Sequence, residues 1–138
     1  MIALSSAQKW VAGPLLAILL VAGAAYGIWS ALGARERRIE SAKSLTAGEP
    51  ANGALLLRRF GCGGCHTISG VPGADGKVGP SLAGLRERVF IAGRIRNSAD
   101  NLVNWIVHPQ DIDAHAAMPP TGITESEARD VAAYLYAH

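Results

Sequence analysis

With 138 residues, the chain has room for one domain of ordinary size. Its formal net charge of +2 is too small to argue for a nucleic-acid partner. The only two cysteines, Cys62 and Cys65, are too close for a disulfide framework, because a bridge across so short a loop is an uncommon way to stabilise a domain.

The first element is apolar. No Lys, Arg, Asp or Glu lies between Trp10 and Ala34. The 23 residues from Trp10 to Leu32 make a helix about 35 Å long, enough to cross a hydrocarbon core of about 30 Å. Trp10 stands at one end, with Tyr26 and Trp29 near the other, which is the interfacial aromatic pattern. Pro14 falls in the first turn or so of this run, where it does least harm. A cleaved signal peptide is the rival reading, with Lys9 as its basic start and Ala22-Gly23-Ala24 as its cleavage site. The apolar run is longer than the usual signal core, so residues 1–34 are read as a single-pass transmembrane anchor.

Residues 35–50 read as a linker or helical extension. Arg35 to Lys43 is charged and continues the helix into water, while Gly48 and Pro50 mark turns. Residues 51–138 form the soluble domain, and a unit of that size buries a limited core and often needs a metal, a disulfide or a cofactor.

Four helical stretches are expected in it. The first runs from about Ala51 through Leu55, Leu56, Leu57 and Phe60. A weaker one covers Leu82 to about Ile91. The third begins near Ser98 and ends at Pro109, with Leu102, Trp105 and Ile106 on one face. The last opens on Thr124-Glu125-Ser126-Glu127, a capping box, and continues with an inner stripe of Ala128, Val131, Ala132 and Leu135. The loops Ser69 to Pro80 and Pro109 to Gly122 are long for a small domain unless they wrap something. No convincing strand alternation is present, so the fold class is all-α.

Charge is polarised along this domain. From Arg58 to Arg96 seven basic residues face Asp75 and Glu87, and from Asp100 to the end six acidic residues face Arg129. If the halves form separate surfaces, their field orients a docking partner; a mixed, solvated surface is the alternative.

The chemistry lies in Cys62-Gly63-Gly64-Cys65-His66. Two thiols three residues apart, followed at once by His, is the attachment pattern of a c-type haem. On a helical turn positions i and i+3 project to one side, so two thiols reach two vinyl groups of one porphyrin. His66 is then close enough to bind the iron. Gly63 and Gly64 put no side chain between the thiols and the ring. A zinc site would need a fourth ligand from another His, and a redox dithiol would need a βαβ setting.

For the far side of the iron, of the two methionines Met1 and Met118, Met118 in Ala117-Met118-Pro119-Pro120 is favoured, because it lies in a loop well after His66, rather than on a helix face, and the flanking prolines stiffen that loop. The competing donors are His108, His115 and His138, of which His115 is nearest, three residues before Met118. The cofactor-binding set is therefore Cys62, Cys65, His66 and Met118, with His66 and Met118 on the iron of one covalent haem c.

Residues 48–138 resemble a class I cytochrome c domain in the order of Gly53, Cys62, Cys65, His66, Gly79-Pro80, Met118-Pro119 and Tyr134-Leu135. The resemblance implies a fold of three to five helices wrapped around one haem. It implies that Gly53 lets the first helix cross the last near Tyr134, that Pro80 offers its carbonyl to His66, and that Trp105 packs near the haem. Leu57 holds a slot the family often gives to an aromatic residue. A narrower similarity, over Gly79-Pro80-Ser81-Leu82-Ala83-Gly84-Leu85, Asn101 to Ile106, Pro109-Gln110 and Ala117-Met118-Pro119, is to the cytochrome c domain fused to subunit II of haem–copper oxidases.

The expectation is an electron-transfer protein on the periplasmic side of a bacterial inner membrane, not an enzyme in its own right. Its redox partner would be a haem–copper oxidase, a cytochrome bc complex or a soluble cytochrome. The positive-inside rule, counted on Arg35, Arg37, Arg38 and Lys43, argues for the opposite orientation, and haem attachment outside the cytoplasm is preferred to it. The alternatives are a haem-based sensor or peroxidase-like subunit with an open iron, and a structural subunit of a respiratory complex.

Overall fold

The computed structural model describes residues 6–138, with side-chain surroundings from residue 13 onward. Met1 and the side chains of Lys9 and Trp10 lie outside the described residues. The chain divides into two compact units, one ending at Glu36 and one running from Arg37 to His138.

The first unit is the apolar part of α1 (Ser6–Thr46). Leu- and Ala-rich sequence favours the helix, which satisfies its backbone internally, as a hydrocarbon environment requires. From Gly13 it is long and apolar enough to cross a membrane, and its apolar window is not buried by the rest of the chain. The Tyr26 and Trp29 rings stand 6.2 Å apart, tilted and exposed. Pro14 is not in the first turn: the helix starts at Ser6, ahead of the apolar run, so Pro14 lies inside it and removes one backbone hydrogen bond.

The second unit begins with the last turns of α1, where Ala42 and Thr46 are fully buried. Thr46 Oγ1 donates to Ala42 O (2.8 Å) and accepts from Gly48 N (3.1 Å), which closes the helix end. Only Ala47 to Glu49 separate it from α2 (Pro50–Arg59), which opens on a proline, where a missing N–H costs nothing.

Three further helices follow: α3 (Ala99–Val107), α4 (Pro109–Ile112) and α5 (Glu125–Ala137). Ser98 caps α3 through Asn101 N, and Thr124 and Glu127 form the reciprocal capping box of α5. Residues Val131 to Ala137 are all buried, so the C-terminal half of α5 is the centre of the unit, enclosed on every side rather than along one stripe. Leu56, Leu57, Leu102, Val103, Ile106, Val131 and Leu135 belong to the core around it. The architecture is mostly helical, in keeping with an all-α class I fold.

α2 crosses α5 at Gly53. A Cβ there would strike the Tyr134 Cβ and come within 2.9 Å of Asp130 O and 3.0 Å of Tyr134 Cγ. Asp130 also holds the start of α2, accepting from Glu49 N at 2.7 Å and from Asn52 Nδ2 at 2.9 Å.

The expected helix over Leu82–Ile91 does not form. A 3-10 turn covers Leu85–Glu87, and Phe90–Ile91 (β1) pairs antiparallel with Ile95–Arg96 (β2). Ala92 and Gly93 have positive φ, and Arg94 N bonds to Ile91 O at 3.0 Å, so the chain reverses through the three-residue connection Ala92-Gly93-Arg94. Asn97 fixes the segment from outside. Its Nδ2 donates to Leu85 O (2.7 Å) and Arg88 O (2.9 Å), and its Oδ1 accepts from Tyr136 OH (2.6 Å) on α5. Three such bonds outweigh a weak helical preference.

Because the groups facing Gly53 include backbone, the helices must separate to admit a methyl group. Gly53→Ala is expected to destabilise the domain by about 1–3 kcal/mol, read as a lower urea midpoint with an unchanged slope. An unchanged midpoint would show that the crossing is looser than described.

Candidate cofactor site

The site starts where α2 ends. Gly61, at φ +70, turns the chain into the 3-10 turn Cys62–Gly64. Cys62 O accepts from Cys65 N (3.3 Å) and His66 N (3.0 Å), so both cysteines and the histidine lie on one turn. Both thiols are free and half-buried. Burial pushes the Cys62 thiol up from its ordinary pKa, and the neighbouring Cys65 adds to this, so it is held neutral.

The glycines between them have a packing reason beyond leaving the thiols clear. A Cβ on Gly63 would lie 2.8 Å from the Ala74 Cβ, whereas Gly64 faces open space. The loop that follows is laced to this turn. Gly76 N donates to Gly63 O (3.1 Å), Gly79 N to Cys65 O (2.8 Å), Leu82 N to Thr67 O (2.9 Å), and Thr67 Oγ1 to Gly76 O (3.0 Å).

This lacing brings Pro80 to His66. His66 Nδ1 lies 2.7 Å from Pro80 O. A carbonyl only accepts, so Nδ1 is the donor and Nε2 is the nitrogen left for another partner. Gly79 makes the ring's position possible: a Cβ there would overlap the imidazole, 2.6 Å from Nδ1 and 2.9 Å from Nε2.

Met118 sits on a separate loop, half-buried, with its own fastenings. Gln110 Nε2 donates to Met118 O at 2.6 Å and to Ala116 O at 3.3 Å. Asp113 accepts from His115 N through Oδ1 (3.0 Å), receives Ala116 N on its carbonyl (2.8 Å), and pairs with Arg94 at 3.1 Å. Neither Gln110 nor Asp113 was marked as functional from the sequence. Two consecutive prolines after Met118 are the available signal, because they remove backbone donors.

The three other candidate histidines are differently placed. The His115 side chain is 95% exposed. His108 is exposed beyond the end of α3. His138 stacks on Tyr134 with ring centroids 4.1 Å apart, and its Nδ1 lies 3.0 Å from Tyr134 O. Trp105 is half-buried against the core.

The donor set fits a covalently held porphyrin iron. Two thiols stand on one turn, beside an imidazole whose Nδ1 is tied to a carbonyl and whose Nε2 is left for a ligand. Thr121 Oγ1, three residues beyond Met118, is the one buried side-chain polar atom without a partner among the described residues, as expected of a group that meets something outside the chain. No group of three or more His, Cys, Asp and Glu among the described residues is gathered to hold a bare metal ion.

Comparison with known proteins gives a family. A family model described as Cytochrome c matches residues 50–137. Over 84 residues, 60% of this chain, the sequence is 32% identical to cytochrome c oxidase subunit 2 of Alkalihalophilus pseudofirmus. The match spans 24% of that relative's length. No solved structure gives a significant match.

Gly79→Ala is expected to drive the imidazole off Pro80. A proton–nitrogen correlation spectrum of His66 checks this: Nδ1 should lose the shift of a hydrogen-bonded N–H and the two tautomers should mix. A spectrum like that of the parent chain would mean that the loop yields instead of the ring.

Proposed function

The chain belongs to the cytochrome c family, whose members carry haem c covalently and transfer electrons, and on that premise we propose that it is a membrane-tethered one-electron carrier with a single haem. The observation that carries this reading is the bond from His66 Nδ1 to the Pro80 carbonyl beside two free thiols on one turn. When bound, the haem supplies reversible one-electron chemistry at its iron.

The chain's own residues do the rest. Cys62 and Cys65 would fasten the porphyrin to one turn. His66 offers Nε2, and its tie to Pro80 fixes the ring plane and raises its basicity. Met118 would hold the iron through its thioether, a donor that would raise the potential and shut out small ligands. The high exposure of His115 and the stacking of His138 favour Met118 over both.

α1 is the anchor in this reading. It holds the haem domain at the periplasmic face of a bacterial inner membrane, where covalent haem attachment takes place. Tethering keeps the domain at high effective concentration near a membrane partner. The similarity to an oxidase subunit 2 supports a partner of the respiratory class, to which this chain donates or of which it is a part. The chain then acts as a carrier rather than as an enzyme. A sensor or peroxidase-like role needs Met118 off the iron, and the bracing of its loop speaks against that.

Met118→Ala in the haem-loaded chain is expected to give a high-spin spectrum and to gain carbon monoxide binding. A spectrum that stays low-spin removes the thioether assignment and promotes His115. Replacing residues 1–32 with a cleavable export signal is expected to release a soluble, haem-loaded domain. If that product still sediments with membranes, α1 is not what holds it there.

A further inference from the structure

Met118 is followed by Pro119 and Pro120. Neither has an N–H, so the backbone just after Met118 offers no donor to the carbonyls around it. A side chain takes that role. The Gln110 amide donates one proton to Met118 O at 2.6 Å and the other to Ala116 O at 3.3 Å. An NH₂ group has two protons, so both bonds form together. Gln110 itself is well founded. It stands in the short helix α4 beside the fully buried Pro109, whose carbonyl accepts from Asp113 N at 3.0 Å.

We propose that Gln110 is the positioning residue of Met118: its amide clamps the Met118 peptide and so holds the thioether at the iron. The inference rests on the reading of Met118 as an axial donor. Its physical basis is preorganisation. A thioether is a weak donor, so the share of time it spends on the iron depends on how much loop freedom is removed beforehand. A clamp on the residue's own carbonyl removes it next to the side chain concerned. A bond elsewhere in the loop would steady the fold without that effect.

The test uses the full-length, haem-loaded chain in mild detergent. The oxidised form is titrated with imidazole, which competes with Met118. Gln110→Ala is expected to bind imidazole about tenfold more tightly, which corresponds to about 1.4 kcal/mol. Gln110→Glu keeps the shape but sets an acceptor against two carbonyl oxygens, and is expected to shift in the same direction by at least as much. Reduction potentials should fall in both, because the thioether favours the reduced iron. Should one variant fail to load haem, the other carries the test. Less than a twofold change in imidazole affinity, even with a lower melting temperature, overturns the proposal and leaves Gln110 as a loop stabiliser. Met118→Ala separates this from the reading beneath it. A high-spin Met118→Ala with unmoved Gln110 variants sinks the clamp alone. A low-spin Met118→Ala sinks both.

Discussion

The close crossing of α2 on α5 is the constraint from which the rest of the domain follows. Gly53 allows the two backbones to meet, and Asp130 on α5 holds the first turn of α2 through Glu49 N and Asn52. α2 is ten residues long and runs straight into the turn at Cys62, so its seat on α5 sets where the thiols stand. The same face of α5 reaches further. Tyr134 OH donates to Ser69 O at 2.9 Å and packs on Gly70, so one side chain governs both the crossing and the loop beyond His66. Tyr136 secures the hairpin through Asn97. From Val131 to Ala137 a helix with such duties is buried all round, which explains why an amphipathic stripe understated it.

Legibility in the sequence followed the range of the interactions. α2, α3 and α5 could be read because their signals are local: the apolar Leu55–Leu57 run, the Leu102, Trp105 and Ile106 face, and the Thr124–Glu127 box. The thiols and His66 could be read for the same reason, since their chemistry depends on spacing within one turn. The segment from Leu82 to Ile91 could not, because its shape is imposed by Asn97 and by a tyrosine 39 residues further on. The Asp130 cap on α2 spans 81 residues and leaves no local trace. Pro80 was legible through family likeness and not through spacing. The Gln110 clamp was invisible to both, since a glutamine near a proline carries no pattern of its own.

Charge shows how far a one-dimensional reading reaches. The basic stretch and the acidic stretch look like two poles along the sequence, yet ion pairs join them in space. Arg59 meets Glu127 at 3.1 Å and Arg94 meets Asp113 at 3.1 Å. Arg129, the basic exception in the acidic stretch, binds Glu125 at 2.8 Å and Asp100 at 3.5 Å. Exposed pairs of this kind add little stability, about 0–1 kcal/mol each. Their larger effect is to shorten the charge separation, so the domain's field is weaker than the sequence polarity implies.

The two loops that supply the site solve one problem in the same way. A long loop has carbonyls that no helix or sheet will pair, and prolines make the shortage worse by removing donors. In each loop a side chain from a firmer element closes the gap at the residue that matters. His66, on the turn after α2, donates to Pro80 O, and Gln110, on α4, donates to Met118 O. Each bond therefore has two effects. It satisfies a carbonyl, which stabilises the loop, and it fixes the orientation of one proposed axial donor. For His66 the bond is made by the donor residue's own ring, so tautomer and position are set at once. For Met118 the side chain has no hydrogen to give, so a neighbour must hold its backbone instead. That difference in side-chain chemistry is why the methionine needs a clamp and the histidine does not.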